Sequence, residues 1–377
     1  MTRAAASLCA VVLASLPGAA QVGVGGGTTA LRRPLVGAIR WDAWTQWAGE
    51  HDFGPYEKCL GPKEWHYRVP FFGKVVSDDK VAVRGDTPEV MDQEIAYAAA
   101  AGLDYWAFDW YHPRGWPNAD TMTRSLDLYL SSKRRDDISY CLILLGGAHF
   151  GPKEKWAATV DGLVQRFQAA NYQKVLGGRP LVYLFDVDSH LKYWGEGAAA
   201  KAPLDLLRQR SVAAGAGDPY LALMIWQPSA SVKTLQALGA DAFSAYVNPP
   251  GNENQELPYS QALSLNRWFW EDARQTGKPL IPTVTAGWDY RPMKRPEFPD
   301  RSLQSSWFAQ AKPEELADHL RNALDYVRQY PKVCEADSVI IYAWNEFSEG
   351  GWICPTLNEG TARLDAIMQV LTPVTEV

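Results

Sequence analysis

Glu346 and Glu349 lie three residues apart in the run Trp344-Asn345-Glu346-Phe347-Ser348-Glu349-Gly350-Gly351. Three-residue spacing in a turn brings two side chains to one side, and the paired glycines permit a tight turn or a close backbone approach to a ligand. Two carboxyl groups in one place are what glycosidic cleavage uses. One protonates the leaving oxygen and the other acts as base or nucleophile. Burial, or the like charge of a neighbour, raises the pKa of one member toward its working range. Two glutamates in a surface turn would by themselves read as solvated charges. Trp344, Asn345, Phe347 and Trp352 around them favour chemistry, because solvated turns are seldom so aromatic.

Positioning this pair requires a scaffold, and the chain repeats one pattern after residue 34: a short apolar run, a loop, then an amphipathic helix. The runs are Leu35–Arg40, Tyr105–Asp109, Tyr140–Leu145, Leu181–Phe185, Leu221–Trp226, Ala242–Tyr246, Leu280–Val284 and Ser338–Ala343. Most lack polar alternation, as strands buried on both faces of a parallel sheet do. Helices are predicted over Thr87–Ala101, Asp120–Lys133, Lys155–Ala170, Pro203–Ala214, Val232–Leu238, Ser260–Thr276, Lys312–Gln329 and Glu359–Leu371. The first opens on Thr-Pro-Glu and stops at Gly102. Strands and helices in alternation predict an α/β fold, a (β/α)₈ TIM barrel with long loops at its C-terminal face. A doubly wound sheet would carry a Gly-rich phosphate turn after its first strand, and here Trp41-Asp42-Ala43-Trp44 follows instead. The long connections Thr45–Asp86, Asn248–Pro258 and Trp288–Phe308 all follow strand C-termini, where a barrel builds its substrate cleft.

That rim gathers polar and aromatic residues. The successive strand ends supply Trp41, Asp42 and Trp44; Asp109, Tyr111 and His112; His149; Asp186 and Asp188; Trp226; Tyr246; Trp288, Asp289 and Arg291; and finally Asn345, the two glutamates and Trp352. The aromatic rings are expected to form sugar subsites, and Asp42, Asp109 and Asp289 to bond sugar hydroxyls. His112 reads equally well as a wall residue, and Asp289 with Arg291 as an internal pair. Asp186-Val187-Asp188 has the DxD form by which many glycosyltransferases hold a metal and a nucleotide-sugar, but two aspartates after a strand are common by chance. Asn252 to Glu256 reads as a solvated loop.

Ala343-Trp344-Asn345-Glu346-Phe347-Ser348-Glu349-Gly350, followed by Pro355-Thr356, resembles the last-strand signature of glycoside hydrolase family 99 and its WbsX-like relatives. Tyr105-Trp106-Ala107-Phe108-Asp109-Trp110-Tyr111 is similar to their second strand, and the order of units fits across about residues 35–371. The resemblance implies a retaining hydrolase of α-mannan type. It implies that Glu346 is the base that deprotonates the sugar 2-hydroxyl, so that O2 displaces the aglycone through an anhydro-sugar. Glu349 is then the general acid/base. Cys354 stands before Pro355 where relatives often carry an acidic residue, which marks a divergent subgroup.

Composition agrees with a globular enzyme: 377 residues, 47% hydrophobic, 21% charged, and a net charge of −6 that argues against a nucleic-acid partner. Sixteen tryptophans and seventeen tyrosines are ample for both a core and sugar platforms. Residues 1–20 read as a signal peptide, with Arg3, the apolar Leu8 to Leu16, and the small Gly18 and Ala20 before a cleavage point. Residues 21–34 read as a flexible Gly-rich tether, residues 35–377 as the catalytic domain, and the location as secreted or periplasmic. No other stretch is long and apolar enough to span a bilayer. Cys59, Cys141, Cys334 and Cys354 allow three full disulfide connectivities, with Cys141 read as a buried thiol inside a strand. No CxxC pair and only six histidines leave a zinc site little support, and no metal or cofactor is expected. The reading is a secreted glycoside hydrolase acting on an oligo- or polysaccharide. Its alternatives are a glycosyltransferase or polysaccharide-assembly protein and a non-catalytic glycan-binding barrel.

Overall fold

Eight strands form the parallel ring that the apolar runs predict: β1 (Leu35–Arg40), β2 (Tyr105–Trp110), β3 (Ser139–Leu145), β4 (Arg179–Phe185), β5 (Tyr220–Met224), β6 (Ala242–Ser244), β7 (Thr283–Thr285) and β8 (Ser338–Tyr342). This computed structural model describes residues 33–44, 54–113, 119–298 and 305–372. The expected signal peptide and nearly all of the tether lie outside them. The strands run in the order β7-β8-β1-β2-β3-β4-β5-β6. The remaining seam is short: Phe243 bridges Leu280 in parallel, and the Ile281 N–H donates to the Phe243 carbonyl at 2.9 Å. Every residue of β1, β2, β5 and β8 is buried. The absence of polar alternation follows from helices covering one face and the barrel interior filling the other.

Nine helices among the described residues surround the ring: α1 (Pro88–Ala100), α2 (Ala119–Ser131), α3 (Trp156–Phe167), α4 (Val187–Trp194), α5 (Ala198–Ala213), α6 (Pro228–Leu238), α7 (Ser260–Gln275), α8 (Pro313–Gln329) and α9 (Ala362–Leu371), beside a one-turn helix at Gly54–Cys59. α1 starts as its sequence demands, with Thr87 Oγ1 accepting from the Val90 N–H and Pro88 in the first turn. Two differences from the sequence pattern have local causes. Asp186 takes a left-handed conformation at φ 55° and caps α4, where the sequence suggests a plain loop. Pro203 lies inside α5 instead of opening it.

The N-terminal mouth of the barrel is plugged. Tyr105 Oη lies 2.9 Å from Tyr183 Oη and 3.0 Å from Ser338 Oγ. Gly37 makes room for that ring, since a Cβ there would meet Tyr105 at 2.2 Å. At the other end the long connections carry their own structure. The β1 connection holds the hairpin Gly73–Ser77 with Lys80–Val83, which the sequence pattern does not announce. Glu256–Leu257 pairs with Trp307–Phe308, tying the β6 and β7 connections together. After β8, Asn345–Glu346 pairs antiparallel with Gly351–Trp352. Cys59, Cys141, Cys334 and Cys354 are all buried thiols outside any disulfide. No helix of the described residues is long and apolar enough to cross a membrane.

Candidate active site

The two glutamates occupy the hairpin that follows β8. Asn345 pairs with Trp352 and Glu346 with Gly351, leaving Phe347 to Gly350 as the turn. Gly350 has φ 83°, and a Cβ there would collide with the Asp289 backbone at 2.7 Å. That close approach lets the Asp289 N–H donate to the Glu349 carbonyl at 2.6 Å. Gly351 makes room on the opposite side, since a Cβ there would meet the Tyr342 ring at 2.3 Å. The glycines therefore serve packing of the hairpin onto β8 and the β7 connection. Their lack of side chains brings Tyr342 beneath the turn, where its hydroxyl donates to Glu349 Oε2 at 2.8 Å.

A second tyrosine holds the other glutamate. The hydroxyl of Tyr246, just past β6, lies 2.9 Å from Glu346 Oε1 and 2.9 Å from Asp109 Oδ2. Its ring stacks on Phe185 at 4.4 Å and sits 5.5 Å from Tyr342, so the tyrosines that carry the two glutamates are neighbours. One phenolic proton cannot be given to two carboxylate oxygens at full strength. The second proton belongs on Asp109. Burial pushes that carboxyl well above the ordinary carboxylate range; the Tyr246 hydrogen bond opposes the shift, and the charges of Asp42 and Glu349 add to it. A protonated Asp109 donates to Tyr246, which donates to Glu346. This order leaves the Tyr246 proton to Glu346 Oε1. Asp109 Oδ1 is buried without a hydrogen-bond partner among the described residues.

These groups line a cavity of about 350 Å³ at the C-terminal mouth, within the range of small-ligand sites. Its walls are largely aromatic. Trp41 meets Tyr56 edge-on at 4.7 Å, and its Nε1 donates to the Tyr111 hydroxyl at 3.1 Å. Trp288 packs on Tyr290 at 4.2 Å. Trp226 stands at the lip, 56% exposed. No lysine or arginine lines it among the described residues.

The structure thus brings Trp41, Asp109, Tyr111, Trp226, Tyr246, Trp288, Glu346 and Glu349 into one cavity. Seven other residues expected at the site lie outside its walls. Asp42 is buried against Arg40, whose Nε donates at 3.0 Å, and accepts from Asn345 Nδ2 at 3.0 Å. Asn345 Oδ1 accepts from the Trp41 N–H at 2.9 Å, and its carbonyl accepts from Trp44 Nε1 at 2.7 Å. Asp42, Trp44 and Asn345 accordingly bolt the β8 hairpin to the end of β1. Asp289 pairs with buried Arg68 and with Arg291 Nε at 2.9 Å, so its carboxylate serves two guanidinium groups in place of a sugar. Trp352 is buried under Arg363, which lies 4.2 Å over its ring. His112 packs against Gly151, where a Cβ would meet its ring at 2.3 Å, and faces a cleft between α2 and α3 on the barrel's flank.

Sequence reasoning does not single out Tyr56, Phe185, Tyr290 or Tyr342. Phe185 ends a predicted strand and Tyr342 is the penultimate residue of another, so the strand-end rule applied to every position would reach them. Tyr56 lies in a long connection with no periodic signal, so no rule selects it. Buried Arg68, which fixes Asp289, comes from the same connection.

The family model described as Glycosyltransferase WbsX matches residues 84–367, three quarters of the chain. The chain belongs to that family. No curated protein matches it in sequence. A solved structure titled "Glycoside hydrolase-like protein" is similar at 14% identity with a TM-score of 0.61, covering 91% of this chain and 95% of that one. The GH99 endo-alpha-mannosidase from Bacteroides thetaiotaomicron is similar at 14% identity with a TM-score of 0.54, over 89% of this chain and 95% of that one. At such identities the likeness concerns the fold, the (β/α)₈ barrel along nearly its full length.

Proposed function

We propose that this WbsX-family barrel is a glycoside hydrolase that cleaves an α-linked glycan with retention, using Glu346 as base and Glu349 as general acid/base. One observation carries the reading: two glutamates, each held by its own buried tyrosine, at the floor of an aromatic cavity. The neighbouring fold of a GH99 endo-alpha-mannosidase supports an α-linked, mannan-like substrate. Glu346 takes the proton of the 2-hydroxyl of the bound sugar while O2 bonds to C1. The C1–aglycone bond breaks as Glu349 protonates the departing oxygen. Water then attacks C1 and gives its proton to Glu349, the C1–O2 bond breaks, and O2 recovers the proton from Glu346. Both carboxyl groups end as they began, two inversions at C1 give net retention, and no cofactor enters the balance. The expected leader over residues 1–20 supports action outside the cytoplasm.

The description of the family favours a second reading, transfer from a nucleotide-sugar. Charge weighs against it. A diphosphate would face Glu346, an anion in its role as base, with no cationic side chain on the described walls, and like charges brought together cost roughly several kcal/mol. The two readings separate in one experiment: incubate the protein with α-linked oligosaccharides and fungal α-mannan, and titrate GDP-mannose and UDP-glucose by calorimetry. Release of reducing sugar without a donor is expected. Donor binding with transfer and no hydrolysis would overturn the proposal.

A further inference from the structure

A second cavity, of about 470 Å³, opens at the ends of β3, β4 and β5. It shares four wall residues with the first: Leu145, His149, Phe185 and Trp226. The two are therefore adjoining compartments of one rim, with Trp226 at their junction. Trp226 is 56% exposed, so much of its indole surface is left unburied. At a boundary between two cavities it presents an indole surface that a sugar ring's apolar face can cover.

The far wall of this compartment is polar where the first is aromatic. Asp186, Asp188, Gln227, Ser231 and Thr234 line it, with Met224 at its base. Asp186 and Asp188 form the DxD pair of the sequence, but no group of three or more His, Cys, Asp and Glu residues suited to a metal exists among the described residues. The left-handed Asp186 turns the chain into α4, and its Oδ1 accepts from the Ser189 N–H at 3.3 Å. Gly146 permits this turn, because a Cβ there would meet the Asp186 carbonyl at 2.0 Å. Asp188 follows in the first turn of α4. No arginine or lysine among the described residues lines this compartment either, so it suits a neutral ligand rich in hydroxyl groups rather than a phosphate or carboxylate.

We propose that this second compartment is a sugar subsite continuous with the cleavage site, so that the substrate is an oligo- or polysaccharide chain lying across both, with Trp226 as the stacking platform between them. A sugar there hydrogen-bonds through its hydroxyls to Asp188, Gln227 and Ser231 while its apolar face covers the indole. The proposal rests on reading the first cavity as the sugar-cleaving site. It makes chain length, rather than the identity of one sugar, the main determinant of affinity.

The test is a length series of probes, mannose and α-linked manno-oligosaccharides of two, three and four units, titrated by calorimetry into wild type, Trp226→Ala and Asp188→Asn. Wild type is expected to gain at least tenfold in affinity between one and three units. Trp226→Ala should lose most of that gain and Asp188→Asn part of it, with unchanged circular dichroism. Equal affinity at every length, no binding of any member, or a gain that survives in both variants overturns the subsite. Parallel cleavage assays with Glu346→Gln keep the two proposals apart. Cleavage that depends on Glu346 without any length gain overturns the subsite alone. A Trp226-dependent gain with no cleavage overturns the hydrolase and keeps the subsite.

Discussion

Two sets of carboxylates end the strands on one rim, and they have opposite environments. Asp42 after β1 and Asp289 after β7 are buried beside guanidinium groups, Arg40 for one and Arg68 with Arg291 for the other. Asp109, Glu346 and Glu349 are buried beside tyrosines. A carboxylate beside a fixed cation is oriented by it and becomes part of the frame; at Asp289 the cations also hold the carboxyl below its ordinary value, whereas at Asp42 burial outweighs Arg40 and raises it. A carboxylate with a phenol keeps a proton within reach, which is what acid/base work requires. Buried carboxylates on one rim therefore stand in two settings, and under the proposed function the partner decides which of them do chemistry.

The comparison breaks most visibly if the tyrosine-held set is neutralised. Glu346→Gln should lower kcat on an α-linked oligosaccharide by about 10³-fold, within the span of acid/base contributions, while the denaturation midpoint moves little. In the cation-held set the effect moves to stability. Arg68→Ala strands Asp289 as a buried charge short of a partner and should cost about 3–5 kcal/mol by urea denaturation. Tyr246→Phe removes the proton between Asp109 and Glu346. It should reduce kcat by about 10–100-fold, an intermediate loss since it acts through Glu346, and shift the acidic limb of the pH–rate profile.

The smallest effect sharpens the contrast by sign. Burial raises the Asp289 carboxyl, but the Arg291 hydrogen bond and the Arg68 charge outweigh it and hold the group below its ordinary value. Its stabilisation is present above the unfolded pKa and disappears as pH falls through the folded one. Asp109 is displaced the other way, chiefly by burial. Its protonated form is favoured by folding, so it lowers stability as pH rises from the unfolded pKa through the folded one. Stability measured against pH should show a flatter acid limb in Asp289→Asn and a flatter limb at higher pH in Asp109→Asn. The same direction in both variants would contradict the division.

The barrel is legible in the sequence because its signals are local. Each strand is a bounded apolar run, and α1 and α8 announce themselves with a Pro in the first turn. α4 is not, because it starts on a left-handed aspartate instead of an ordinary cap. Pro203 misleads for a related reason, since proline more often opens a helix than lies within one. At the site, position is readable and partnership is not. The rim rule places Asp42, Asp109 and Asp289 together as sugar ligands. Arg68, which claims Asp289, is 221 residues away in sequence, in a connection without periodicity. Tyr342 sits in a strand that reads only as apolar, and its place beneath the glutamate turn depends on Gly351 having no side chain.

The central claim is that the tyrosine-held pair divides the labour, and leaving-group dependence tests it most directly. kcat/KM should be measured for wild type, Glu346→Gln and Glu349→Gln on an α-linked oligosaccharide that wild type cleaves and on the matching 4-nitrophenyl glycoside. Glu346→Gln is expected to fail on both, whereas Glu349→Gln should fail on the oligosaccharide and recover on the nitrophenyl substrate, whose leaving group needs no proton. Cleavage at wild-type rates by both variants would contradict the assignment.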